Sequence, residues 1–96
     1  MSLSIIAVSC PSNDWTEVHD GSGAADLQLK ITNGNSVALA RDVAGVKPSA
    51  DWGAFDTWCD LDVGNSSVAI KLADGEKLYA RGRVLDGYLR GFKSVD

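Results

Sequence analysis

The chain of 96 residues has one histidine, two cysteines, two prolines, and no apolar run near the roughly 18 residues of a membrane-spanning helix. Each shortage removes a class of protein. The lone His19, with Cys10 and Cys59 outside any CxxC pair, supplies no zinc-ligand pattern. Glutamate is confined to positions 17 and 76, while aspartate is plentiful. Aspartate bonds its local backbone in turns and glutamate favours helices, so this balance speaks for strands and turns. The opening residues Met1-Ser2-Leu3-Ser4-Ile5-Ile6-Ala7-Val8 lack the basic start of a secretory signal, and Cys10-Pro11 ends their apolar run. The expected setting is a soluble protein made in a cytoplasm, with no membrane partner. In that setting Cys10 and Cys59 are expected as buried thiols rather than a disulfide. No GxGxxG or Walker-type phosphate cradle and no GxSxG elbow occurs, so no cofactor is expected. The formal charge of −4 argues against a general nucleic-acid binder, which needs Lys and Arg to displace phosphate counterions.

What the chain does have is a grammar of short alternating runs punctuated by Gly, Asn and Asp. The clearest instance is residues 68–82, where Asp74-Gly75 separates two alternating segments. An Asp-Gly pair in that position is a strong hairpin signal, because glycine accepts a positive φ. Asp26-Leu27-Gln28-Leu29-Lys30-Ile31-Thr32 places Leu27, Leu29 and Ile31 on one face. Asn33-Gly34-Asn35 then predicts a turn into residues 36–42, with Val37 and Leu39 inward, as a second hairpin. Further strands are expected over residues 5–10, 15–19, 58–63 and 88–95, the fifth with Cys59, Leu61 and Val63 on one face. Asp20-Gly21-Ser22-Gly23 reads as a loop with permissive backbone at both glycines. Residues 43–57 form the longest irregular stretch, of a length that compact domains reserve for function or self-packing. The expected fold is all-β: one domain over residues 1–96, a single antiparallel β-sandwich of about eight short strands, jelly-roll or immunoglobulin-like.

Four groups of side chains could carry chemistry. His19 is the only base of its kind; Asp14, Asp20, Ser22 and Cys10 are near it in sequence, and a surface histidine at a strand end fits better than a catalytic one. Asp51, Asp56, Asp60 and Asp62 are the densest carboxylates, but no DxDxDG calcium loop contains them. Trp15, Trp52, Phe55 and Trp58 offer either a platform for sugar rings or aromatics that pin a loop or fill a subunit interface. Lys77, Arg81, Arg83, Arg90 and Lys93 crowd the last twenty positions, as a contact surface for an acidic partner or as a solvated, aggregation-resistant face.

Trp15…Val18…Gly21, Leu27-x-Leu29-x-Ile31, Val37-Ala38-Leu39-Ala40, the Pro48 loop, Leu61-x-Val63-Gly64 and the segment Gly75-Glu76-Lys77-Leu78-Tyr79-Ala80-Arg81-Gly82 together resemble a known group. They are similar to small β-sandwich virion structural proteins of tailed bacteriophages, of the capsid decoration, head-fibre and tail-associated kinds. The resemblance implies a non-enzymatic subunit of the virion that docks on the major capsid protein or other virion subunits, often as a homo-oligomer, and it implies no catalytic residues. The resemblance departs from the family in its short start, from which no long arm or collagen-like stem is expected. Trp52, Phe55, Trp58, Arg81 and Arg83 are the expected partner-binding residues, with residues 43–57 as the docking element. A carbohydrate-binding module, with a glycan on the same tryptophans, is the second reading; an enzyme ranks last.

Overall fold

The computed structural model describes residues 2–32, 35–42 and 59–95. These residues form eight strands and no helix: β1 (Ser2–Cys10), β2 (Thr16–His19), β3 (Ala25–Ile31), β4 (Val37–Asp42), β5 (Cys59–Leu61), β6 (Ser67–Leu72), β7 (Lys77–Gly82) and β8 (Gly87–Val95). Two four-stranded sheets result, in the orders β1-β8-β3-β6 (sheet A) and β2-β7-β4-β5 (sheet B). Every pairing is antiparallel.

The pairing is nested. First strand bonds last, second bonds seventh, third bonds sixth, and fourth bonds fifth. This is one long hairpin wrapped on itself, with alternate strand pairs sent to opposite sheets and sealed by β3·β8 and β4·β7. The order is that of a jelly roll and excludes the immunoglobulin-like alternative.

The alternation read from the sequence places the core. Leu27, Leu29, Ile31, Ile70, Leu72 and Leu89 of sheet A face Val37, Leu39, Leu61, Leu78 and Ala80 of sheet B in one buried cluster. Burying a side chain of leucine size contributes about 1.5–3 kcal/mol, so this inward set is the main source of stability. Val63 departs from expectation: it is exposed, because β5 stops at Leu61 and residues 62–65 curl into a turn with Asp62 and Asn65 bonded reciprocally through their backbones.

Both expected hairpins are absent. β3 and β4 lie in opposite sheets, as do β6 and β7, whose turn arches over the core instead of joining neighbours. The turn geometry at Asp74-Gly75 matches the arch. Gly75 has a φ of 87° while no described residue other than glycine has a positive φ. Positive φ at the third turn residue alone is the type II pattern, which splays strands, whereas the hairpin turn of an Asp-Gly pair needs it at both central residues. Each arm then finds other partners: β6 pairs with β3, and β7 sits between β2 and β4.

Sheet B is buried on its outer face as well. Ala38 and Ala40 of β4 and Tyr79 of β7 point away from the core and are buried in a second cluster with Trp15. Sheet A has no such cover over its described outer face. Among the described residues the outer face of sheet A is therefore the open one.

Candidate binding face

The outer face of sheet A is built from alternate residues of four strands. β8 is held between β1 and β3, and Leu89 anchors it inward, so Tyr88, Arg90 and Phe92 must point outward. Leu3, Ile5, Ala7 and Ser9 of β1 flank them on one side, with Ile5 opposite Phe92 and Ala7 opposite Arg90. Gln28 and Lys30 of β3 flank them on the other, with Gln28 opposite Phe92 and Lys30 opposite Arg90. Ser67 and Ala69 of β6 complete the face beside Lys30 and Gln28. A depression of about 420 Å³ is lined there by Gln28, Lys30, Ser67, Ala69, Arg90 and Phe92. A second, of about 380 Å³, lies beyond Arg90 against Ala7, Ser9, Thr32 and Tyr88.

Four of the seven exposed large apolar side chains among the described residues, Leu3, Ile5, Tyr88 and Phe92, lie on this sheet, and the other three, Val63, Val84 and Leu85, lie on turns. Leu3 is 73 % exposed, Ile5 81 % and Phe92 53 %. β1 is also an edge strand whose other side pairs with no described strand. Its nine residues carry no charge and no proline, and its register with β8 runs unbroken from Ser2 to Cys10. The usual devices that blunt an edge (charge, proline, bulges, shortness) are missing from it.

Of the expected partner-binding residues only Arg81 and Arg83 are described, and neither lies on this sheet. Trp52, Phe55 and Trp58, with the docking element at residues 43–57, lie outside the described residues. Arg81 does not present a free cation: it is buried on the outer side of β7, with Nε donating to the Ser12 carbonyl at 2.9 Å. Arg83 is engaged by Asp60 through Nε–Oδ1 and Nη2–Oδ2 contacts of 2.9 and 2.7 Å, which raise its pKa further. Lys77 lies 3.6 Å from Glu17, and Arg90 is on the other sheet. The crowding of basic residues in sequence therefore does not make one basic patch, because β7 and β8 diverge to opposite layers.

His19 is not the surface residue expected at a strand end. It is 1 % exposed, its Nε2 lies 3.2 Å from the Gly23 carbonyl, and its Nδ1 has no partner. The loop at residues 20–24 folds back to make that contact. Its glycines both have positive φ, and the Gly21 carbonyl accepts from the Gly75 amide, so the loop is docked on the β6–β7 turn. Trp15 is buried beside Tyr79 and offers no platform for a sugar.

The acids also divide. Asp60 serves Arg83, and Asp62 accepts from the amides of Gly64 and Asn65. Asp51 and Asp56 lie outside the described residues. Among the described residues no group of three or more His, Cys, Asp and Glu side chains is placed to hold a metal. Cys10 is a buried free thiol, and burial pushes its pKa up to about 11. The Cys59 side chain lies outside what is described.

No protein-family model matches this chain, and no curated protein matches it either. The face of sheet A was missed by sequence reasoning, although one signal was available. Tyr88, Arg90 and Phe92 alternate with Leu89 and Gly91, which already separates an aromatic-and-cation side of β8 from an apolar one.

Proposed function

We propose that this protein is a non-enzymatic virion subunit of the phage capsid-decoration type, and that it works by docking its β1 edge on neighbouring protein. The observation that carries the reading is the edge of β1, unpaired by any second described strand and uncharged over nine residues, with Leu3 and Ile5 exposed beside Phe92. An edge of that kind offers a row of backbone donors and acceptors to an added strand, and apolar side chains to seal it. Two copies related by a two-fold axis can pair β1 to β1 without opposing charges, which suits a homo-oligomer. The jelly-roll order is a recurrent architecture of viral capsid and lectin domains and agrees with the resemblance already drawn.

Docking moves, in this reading, from the tryptophan-rich segment to the sheet A edge. Arg83 and Asp60 neutralise one another, and Arg81 holds its own chain, so neither arginine is offered as an anchor. A net charge of −4 keeps free subunits soluble before assembly. The test is co-sedimentation with undecorated capsids together with native mass. Wild type is expected to associate and Ile5→Glu to lose association while keeping its circular dichroism. An Ile5→Glu variant that assembles as well as wild type removes the proposed edge from the account.

A further inference from the structure

Lys30 and Arg90 are direct cross-strand partners on the outer face of sheet A. Both are exposed, both line the 420 Å³ depression, and neither forms an ion pair with a described residue. Like charges directly opposite one another destabilise a sheet. In an acidic chain with 13 carboxylates to 9 cations, leaving these two opposed and unneutralised is a local conflict. The nearest acid along β3 on this face, Asp26, lies 4.0 Å from Lys71 instead. A bound anion between the two cations would turn the repulsion into a pair of attractions, one of them through a guanidinium fork suited to a carboxylate.

The rest of the depression narrows the ligand. Phe92 supplies an exposed aromatic surface, and Gln28 and Ser67 supply an amide and a hydroxyl. Strands β3 and β8 are each hydrogen-bonded on both sides, so the face holds no free main-chain groups between its β1 and β6 edges. An acidic peptide laid across it would therefore find side chains only, with nothing to pair its own amides. A sugar ring meets the same surface well: its C–H face lies on the aromatic ring and its hydroxyls take the amide and hydroxyl. Nucleic acid fits poorly, because two cations release few counterions.

We propose that the outer face of sheet A binds a carboxylate-bearing saccharide, with the acid group between Lys30 and Arg90 and a ring seated on Phe92. The site does not depend on the β1 edge being a docking surface.

The test is a glycan array carrying uronate- and sialate-bearing chains beside neutral ones, with hexaglutamate and a short single-stranded oligonucleotide as competitors in solution. Binding is expected on carboxylated spots only, with Arg90→Gln and Phe92→Ala each lowering it roughly tenfold or more. Lys30→Gln adds a readout that a merely structural role would not give. It should weaken binding while raising the melting temperature of the free protein, because it relieves the cross-strand repulsion. No carboxylated spot above the neutral ones, undiminished binding by Arg90→Gln, or competition by hexaglutamate or the oligonucleotide at equal concentration would each overturn the proposal. So would a Lys30→Gln variant that melts at or below wild type.

Discussion

Arg41 of β4 and Glu76 of the β6–β7 turn are joined by two hydrogen bonds, Nε to Oε2 at 3.0 Å and Nη2 to Oε1 at 2.9 Å. The same Nη2 donates to the Lys71 carbonyl of β6, and Glu76 Oε1 also accepts from the Ala73 amide at 3.0 Å. A sheet B strand thus grips the arch that leads from sheet A back to sheet B. The carboxylate is largely buried, with its side chain 8 % exposed against 28 % for Arg41.

Removing the arginine strands that carboxylate. Arg41→Met should lower unfolding stability by about 1–3 kcal/mol, the cost of leaving a buried acceptor without its partner. Pairing it with Glu76→Leu should recover part of the loss, since a buried ion pair replaced whole is often close to neutral. Urea titrations of the two single variants and the double variant measure the coupling.

The same pair gives acid sensitivity. The Arg41 hydrogen bond holds Glu76 below the usual carboxylate range, against the opposing effect of its burial and with help from the Ala73 amide. A depressed folded pKa contributes stability above the unfolded glutamate value and loses it as pH falls through the folded one. Wild type should therefore lose melting temperature across and below the ordinary glutamate range more steeply than Glu76→Gln does. Parallel curves would show that Glu76 carries no such linkage.

Gly91 tests the packing beneath the candidate face. A Cβ there would run into the Gln28 carbonyl oxygen of β3 and sit 2.8 Å from its carbon, both of them backbone atoms. Gly91→Ala must push β3 and β8 apart, at about 1–3 kcal/mol for an overpacked site. Amide exchange should speed up along the β3·β8 ladder and less in sheet B.

At Gly75 the conflict is different, because nothing lies within 4 Å of the added Cβ and only the φ of 87° resists it. Gly75→Ala should cost about 1–2 kcal/mol and Gly75→Asn less, since asparagine enters the left-handed region more readily. Equal losses for the two would indicate that contact, not backbone strain, governs the position.

Cys10, with a pKa near 11, should react slowly with a disulfide reagent at pH 8 in a Cys59→Ser background. Its reaction should follow unfolding, rising with urea in step with the loss of sheet signal. Fast native labelling would contradict its burial.

Alternation alone made the strands legible. Leu27, Leu29 and Ile31 face inward as their period of two dictates, and Val37 and Leu39 do the same, because one polar and one apolar face can settle in only one orientation. The candidate face was legible only in part. The sides of Tyr88, Arg90 and Phe92 follow from Leu89, but that Lys30 stands opposite Arg90 depends on a register between strands nearly sixty residues apart. Nor does any local pattern show that His19 is covered, since its cover is a loop closed by Gly23 and docked on Gly75.

By itself, then, the sequence determined an all-β chain with turns at its Gly, Asn and Asp positions and with its inward residues fixed by local period. Strand partners were decided only in three dimensions. Asp74-Gly75 reverses the chain whichever strands it joins, and the choice between a hairpin and an arch fell to long-range pairing that buries both sheets against one core. The nested order, the buried outer side of sheet B and the open face of sheet A all follow from that choice.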